Sequence, residues 1–413
     1  MKSVNLKSIN SKMQRNIFFV FILRIMSLIY ISAIRLRLYS YRKGLLKTNF
    51  LHAYTISIGN LTTGGTGKTP FVAMIAKWAL KNGFNPAILS RGYKRKRGNK
   101  SLIVSDGKSI LTSIDKAGDE AFFLAKKLNS LPVLVSKKRY RVGKLAIKLF
   151  NSNLLLLDDG YQHLSINRDL NILLIDAQWG FGNGFLLPSG NLREPLEQVK
   201  RANLIVITKC TKKNTGEDIF LYLQKKFPNI PVLKSEYVSD KIIFPHTNRA
   251  YGPEFLSGKK AVAFAGIARP DDFFDMINSL GAKITYSQGF PDHYSFSNSE
   301  INELQRLKTN TNADILLTTE KDWVRIDGKT RNDMDIAVLT LKIELIPGRN
   351  SNNSAEEEKI FFDKIEQGIN KKERLQGGIN KYKLTAQGPS IKVPLPKDTK
   401  KQSEARILSG GYA

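Results

Sequence analysis

The sequence predicts an α/β protein with a mostly parallel sheet, a second and smaller α/β domain, and an N-terminal helix suited to a membrane surface. Three observations predict it. Short continuous apolar runs alternate with stretches of helical periodicity, the pattern of strands buried on both faces. A glycine-rich loop sits between a strand-like and a helix-like run near residue 60. Near the N-terminus, Ile17–Ile34 (IFFVFILRIMSLIYISAI) carries a single charge, Arg24, and is flanked by cations on both sides.

The glycine loop organises the rest. Tyr54–Ile58 is short and β-prone, and Phe71–Leu80 places Val72, Ile75, Ala76 and Ala79 at helical spacing. Between them lies Gly59-Asn60-Leu61-Thr62-Thr63-Gly64-Gly65-Thr66-Gly67-Lys68-Thr69-Pro70. A strand, a glycine loop and a helix opening at Lys-Thr form a phosphate cradle, because glycines let backbone N–H groups close around phosphate oxygens. Thr62 to Thr69 are therefore the expected ATP-binding segment of a P-loop NTPase-like domain. Lys68 should reach the β/γ-phosphates, and the Thr69 hydroxyl should ligate Mg²⁺. Thr62 stands where the strict G-x-x-x-x-G-K-[ST] pattern has glycine.

Composition bounds the class. A chain of 413 residues suggests two domains plus appendages, and 42% hydrophobic content suffices for their cores. The excess of 65 Lys/Arg over 36 Asp/Glu, a net charge of +29, points to a polyanionic partner. Ten of those cations and no acids fall in residues 1–50, and ten against three acids fall after Glu366. Charge at the ends suits a membrane surface better than a nucleic-acid groove, and the clustered aromatics of base recognition are missing. The single cysteine, Cys210, excludes an intramolecular disulfide and fits a reducing compartment.

In chain order, residues 1–50 form a basic segment with an apolar helix at 17–34, which reaches only the lower end of a bilayer-spanning length and is expected to lie in or dip into the membrane face. Residues 51–210 form the nucleotide domain, with strands at Tyr54–Ile58, Ala87–Leu89, Val133–Val135, Leu154–Leu157, Ile172–Ile175 and Leu204–Ile207. Residues 211–260 read as an irregular crossing region with Pro228, Pro231 and Pro245. Residues 261–366 read as the smaller domain, with strands at Ala261–Ala265, Lys283–Tyr286 and Asp314–Thr318 and helices at Pro270–Leu280 and Asn298–Leu307. Residues 367–413, rich in Lys, Gly, Gln and Ser without apolar periodicity, are expected to be disordered.

Polar residues follow several strands, where ligands of parallel sheets gather. Asp158 and Asp159 end an all-leucine run and are the expected Mg²⁺-organising acids, with Gln162 and His163 on the same rim. Asp119 and Glu120 open a helical run, and a capping role for Asp119 competes with a chemical one. Lys137, Lys138, Arg139 and Arg141 follow the strand at Val133 as either a solvated cluster or a phosphate clamp. Arg193 and Glu194 sit in a Gly/Pro loop. Phe290-Pro291-Asp292-His293-Tyr294 puts one of four histidines in a turn, and Thr318-Thr319-Glu320-Lys321-Asp322 follows a strand.

The ordered set GNLTTGGTGKTP, SRGY, GDE, DDGYQH, INRDLNILLID, GNGFLLPSGNLREP, AGIARPDDFF, FPDHY and TTEKD resembles the tetraacyldisaccharide 4′-kinase family of lipid A biosynthesis over about residues 20–365. That family also has threonine at the Thr62 position. The resemblance implies an ATP- and Mg²⁺-dependent enzyme at the cytoplasmic face of the inner membrane of a Gram-negative-type bacterium. It would phosphorylate the 4′-hydroxyl of a tetraacyl glucosamine disaccharide 1-phosphate to form lipid IVA, with no nucleic acid and no obligate protein partner. It also implies Asp119, aided by His293, as the acid–base pair beside Lys68. Glu120, Arg139, Gln162, His163, Arg193 and Glu194 become substrate-binding residues, and Thr69, Asp158 and Asp159 metal-binding ones. The alternative is a P-loop switch ATPase or GTPase serving as a membrane-associated binding module. Such switches often have a lysine where this chain has Thr63.

Overall fold

A computed structural model describes residues 17–92, 95, 101–211, 214–292, 294–326, 335–347 and 353–385. In chain order the helices are α1 (Ile17–Arg42), α2 (Lys68–Lys81), α3 (Ile114–Ala117), α4 (Asp119–Lys127), α5 (Arg139–Phe150), α6 (Glu217–Lys226), α7 (Pro270–Ser279), α8 (Asn298–Asn310), α9 (Glu320–Arg325) and α10 (Ser354–Thr385). The strands are β1 (Tyr54–Gly59), β2 (Pro86–Ser90), β3 (Leu102–Asp106), β4 (Pro132–Val135), β5 (Leu154–Asp158), β6 (Leu170–Asp176), β7 (Leu204–Thr208), β8 (Val232–Phe244), β9 (Arg249–Tyr251), β10 (Lys260–Ala265), β11 (Lys283–Gly289), β12 (Ile315–Thr319) and β13 (Ile336–Ile346).

All thirteen strands among the described residues belong to one sheet, ordered β11-β10-β12-β13-β8-β7-β6-β1-β5-β2-β4-β3, with β9 on β8. Its pairs are parallel except β13/β8, β3/β4 and β8/β9. The expected α/β fold with a mostly parallel sheet is what the chain adopts. β1, β5 and β6 are buried almost throughout, which explains their unbroken apolar runs.

The expected crossing region, 211–260, is built instead from regular elements. β8 pairs parallel with β7 and antiparallel with β13, so it joins the two runs of strands into one sheet. Helices cover both faces. On one face Phe71 and Trp78 of α2 meet Phe361 and Phe362 of α10, at 5.9 Å edge-on and 4.7 Å stacked. Phe361, Phe362, Ile365 and Ile369 are buried in the same core as β1 and β5. The helix therefore passes the expected domain end at 366 and replaces the expected disorder as far as Thr385.

α1 is longer than the apolar run, extending to Arg42. Ser27, Tyr30 and Arg37, at helical spacing, hydrogen-bond the carbonyls of Leu186, Arg193 and Gln162 at 3.0, 2.8 and 2.8 Å. The other side leaves Phe21, Ile25, Met26, Leu28 and Ile29 exposed. Among the described residues no helix is long and apolar enough to cross a membrane.

Candidate active site

The glycine loop leaves β1 and ends at Gly67, whose φ of 82° caps α2 in a left-handed conformation. A Cβ there would stand 2.8 Å from the Tyr237 hydroxyl, so glycine is needed for space as well as for conformation. Thr63, Gly64 and Gly65 form the exposed tip of the loop, while Thr62, Thr66, Lys68 and Thr69 are buried. Its neighbours hold it from two sides. The Thr63 N–H donates to the Asn191 carbonyl at 2.8 Å and the Arg193 N–H donates to the Leu61 carbonyl at 2.7 Å. The Thr208 hydroxyl donates to the Thr66 carbonyl at 2.9 Å, and the Lys209 ammonium donates to the Gly65 carbonyl.

Lys68 places its ammonium 3.4 Å from the Asn60 side-chain oxygen and 3.7 Å from Asp159. Asp159, just past β5, also accepts from Arg193 at 3.0 Å on both oxygens. Burial opposes ionisation of Asp159, but Lys68, Arg193 and Arg139 hold its carboxyl below the usual range. Asp158 lies deeper, 1% exposed, with one oxygen 3.4 Å from the Ser90 hydroxyl and the other without a hydrogen-bond partner. Burial, then the nearby Glu120 and Asp159 charges, push its carboxyl up to about 7. Two adjacent carboxylates thus sit in opposite electrostatic settings.

Arg139 is almost fully buried at the start of α5 and donates to the Asp159 carbonyl at 3.0 Å. Gln162 donates to the Asn60 carbonyl at 2.9 Å, tying the aspartate turn to the glycine loop. His163 lies 3.1 Å from the Ser165 hydroxyl. Burial and four surrounding arginines push its imidazole down to about 3, so it is neutral at physiological pH.

Asp119 and Glu120 occupy the first turn of α4, and Gly118 rather than Asp119 is the residue at the cap position. They face a second wall: Arg325 Nε lies 3.9 Å from the Asp119 carboxylate. One cleft of about 1760 Å³ is lined by the glycine loop, Lys68, Thr69, Asp119, Glu120, Arg139, Asp159, Gln162, His163 and Arg193, together with Tyr30 and Arg37 of α1. Most of the sequence-nominated residues are therefore brought together. Thr62, Asp158 and Glu194 are buried and do not line it; Glu194 is 0% exposed and paired with Arg201, which also stacks over the Tyr161 ring at 4.7 Å. His293 lies outside the described residues, although Asp292 beside it lines the cleft.

Several cleft residues carry no role in the sequence reading. Lys209, following β7, pairs with Asp176 at the end of β6 at 2.8 Å. Arg269, from the loop before α7, reaches the same carboxylate at 3.7 Å. The signal for the first two was their place after strands of a parallel sheet. Beyond an acid three positions away, nothing local marks Arg269 or Arg325, because Asp176 and Asp119 are 93 and 206 positions distant in the chain.

Among the described residues no group of three or more His, Cys, Asp or Glu surrounds a metal position. Mg²⁺ needs less, since it keeps several waters and takes one or two carboxylates plus phosphate oxygens. The unpartnered oxygen of Asp158 and the Thr69 hydroxyl are hard oxygen donors of this kind, whereas both Asp159 oxygens already accept from Arg193.

The family model for tetraacyldisaccharide-1-P 4′-kinase (LpxK) matches residues 19–358. A tetraacyldisaccharide 4′-kinase of Pelobacter propionicus is 38% identical over 78% of this chain and 86% of the relative. One from Geobacter metallireducens is 38% identical over 74% and 88%. The crystal structure of LpxK from Aquifex aeolicus in complex with ATP superposes with a TM-score of 0.65 and 31% identity, over 86% of this chain and 99% of that one. The match across the glycine loop, the aspartate turn and the second wall of the cleft leaves one conclusion: this chain belongs to the tetraacyldisaccharide-1-P 4′-kinase family.

Proposed function

We propose that this chain transfers the γ-phosphate of ATP to the 4′-hydroxyl of a tetraacyl glucosamine disaccharide 1-phosphate, a step of lipid A biosynthesis. The observation that carries the reading is one cleft holding a Gly-rich loop with its lysine, an acid turn, and a second acid pair across from them. That is the equipment of phosphoryl transfer, which needs positioning and charge neutralisation more than covalent chemistry. The switch-module alternative has no such support, because an acceptor-side acid pair has no task in a protein that only binds nucleotide.

In this reading the loop N–H groups from Gly64 to Gly67 cradle the β- and γ-phosphates, and the start of α2 adds partial positive charge. Lys68 neutralises charge on the transferred group, while Asp159, fixed by Arg193, keeps the ammonium in place. Thr69 and Asp158 would hold Mg²⁺, with Asp159 beside them. The ion when bound supplies further neutralisation of the phosphate oxygens. Asp119, with His293, takes the proton of the sugar hydroxyl. Arg139, Gln162, His163 and Arg193 order the rim against the acceptor, and Glu120 lies beside the base. Glu194 acts from behind, as the buried partner of Arg201 that shapes the Arg193 loop.

α1 would lie on the cytoplasmic face of the inner membrane, its exposed apolar residues in the lipid and its flanking cations against anionic headgroups. Tyr30, Ile34 and Arg37 on its inner side line the cleft, so a lipid could pass from the bilayer to the site along the helix. The test is incubation with γ-labelled ATP and a tetraacyl disaccharide 1-phosphate. Label recovered in the lipid supports the reading. ATP consumption with label only in inorganic phosphate overturns it.

A further inference from the structure

The TTEKD segment and the helix it opens face the acid pair without a task in the chemistry above. Residues Glu320–Arg325 of α9 and Asp119–Lys127 of α4 carry matched charges in antiparallel order. At one end Arg325 Nε lies 3.9 Å from Asp119. At the other, the Lys127 ammonium lies 2.5 Å from Glu320. Between them, Glu120 is the largest favourable charge acting on Lys321. This order also sets the acids of α4 at its N-terminus and its lysine at the C-terminus, as the helix dipole favours.

α9 is itself anchored firmly. Asp322 is 0% exposed and accepts from the Thr319 hydroxyl at 2.6 Å, the Gly266 N–H at 3.0 Å and Arg325 at 3.1 Å. Arg325 also donates to the Gly266 carbonyl at 3.0 Å, so its guanidinium is fixed by Asp322 of α9 and by the residue just past β10. At the far end Lys127 donates to the Leu341 carbonyl at 3.2 Å, and Glu320 accepts from the Leu341 N–H at 3.3 Å. A guanidinium held this way on one side presents a fixed charge on the other.

We propose that α9 is a positioning clamp for the acids at the start of α4, with Arg325 setting the place of the Asp119 carboxylate. Arg325 touches neither phosphate nor sugar in this account; it acts through Asp119. The inference rests on the phosphoryl-transfer reading for its kinetic consequence, because misplacing a base by about 1 Å can cost about 10²-fold in rate. Its structural consequence, the order of the first turn of α4, is independent of that reading.

The test uses the full chain with ATP and the tetraacyl disaccharide 1-phosphate, reading kcat and both KM values, and amide hydrogen exchange over residues 118–127. Arg325→Ala should lower kcat about 10- to 100-fold with the KM for ATP changed less than about twofold, and should speed exchange in the first turn of α4. Arg325→Lys should recover part of kcat. Should Arg325→Ala fail to fold, the far end decides. Lys127→Glu and Glu320→Lys should each lower kcat, and the double exchange should restore it. Unchanged kcat and exchange in Arg325→Ala, a loss confined to the KM for ATP, or a double exchange no better than the singles would overturn the clamp. Absence of transfer by the unaltered chain would refute the phosphoryl-transfer reading instead, and exchange would still decide the clamp.

Discussion

Replacing Lys68 by alanine separates the chemistry of the cleft from its folding. The ammonium lies 3.7 Å from Asp159 and 3.4 Å from Asn60, and its side chain is 10% exposed. Its removal does not strand a carboxylate, because Asp159 keeps Arg193 at 3.0 Å on both oxygens. The lost ion pair is long and its partner is partly solvated, so the stability change should be within about 1 kcal/mol. The rate effect is of another size. A preorganised charge aimed at a developing oxyanion contributes about 10²–10³-fold, or about 2.7–4 kcal/mol. Label transfer from ATP, together with thermal unfolding of the same preparation, measures both. The expected result is a transition close to that of the unaltered protein and at least a hundredfold loss of turnover. A folded Lys68→Ala protein with near-normal phosphoryl transfer would refute the assignment of this loop to the phosphates.

Other predictions address the base, the buried pair and the membrane face. Asp119→Ala and His293→Ala should each lower kcat by about 10²–10⁴-fold with little change in ATP affinity, and their double variant should be much less impaired than the product of the two defects; multiplication of the defects would show that they do not act together. Arg201→Ala leaves the 0% exposed Glu194 without its ion-pair partner, and should destabilise the fold by about 3–5 kcal/mol, with Glu194→Gln restoring part of the loss in chemical denaturation. The same pair sets a pH dependence: burial raises the Glu194 carboxyl above its ordinary value, so stability it contributes is present below the unfolded value and declines as pH rises through the folded one. A Glu194→Gln protein should lose less stability over that upward range than the unaltered one. Deleting residues 1–36 removes the exposed apolar face of α1, worth about 25 cal/mol per Å² buried in lipid, and should release the protein from anionic vesicles; sedimentation unchanged by the deletion would place the anchor elsewhere.

What the sequence discloses follows from the range of the interactions involved. β1, β5, β6 and β7 announce themselves because burial on both faces demands unbroken apolar runs, and α2 because one of its faces packs on them. β8 hides for the opposite reason. Lys234, Glu236, Asp240 and Lys241 interrupt it, and most of its residues are only half-buried. Its partners, β7 and β13, are respectively just upstream and about 100 residues downstream, so nothing within the segment shows that it joins the sheet. The tail misleads similarly: Phe361, Phe362, Ile365 and Ile369 have helical spacing, but the basic, Gly-containing sequence beyond them masks a helix that continues to Thr385.

The site divides along the same line. The glycine loop and the aspartate turn are legible because backbone conformation and strand ends leave local marks, such as Gly67 at a left-handed cap and Asp158 at the end of a leucine strand. That Glu194 turns into the core while Arg193 turns to Asp159 is a packing outcome, decided by Arg201 and Tyr161 and invisible in the dipeptide. The second wall is hardest of all. Arg269 and Arg325 are single cations in ordinary surroundings until the sheet brings them opposite Asp176 and Asp119.

In the proposed reaction this cleft delivers phosphate to one hydroxyl of a lipid disaccharide. Phosphorus–proton correlation NMR of the purified product tests it most directly. The expected product carries a new phosphate monoester coupled to the 4′ proton of the distal sugar, with the 1-phosphate unchanged and no such signal from the Asp119→Ala protein. A phosphate on another hydroxyl, a diphosphate formed at the 1-position, or inorganic phosphate as the only product would contradict it.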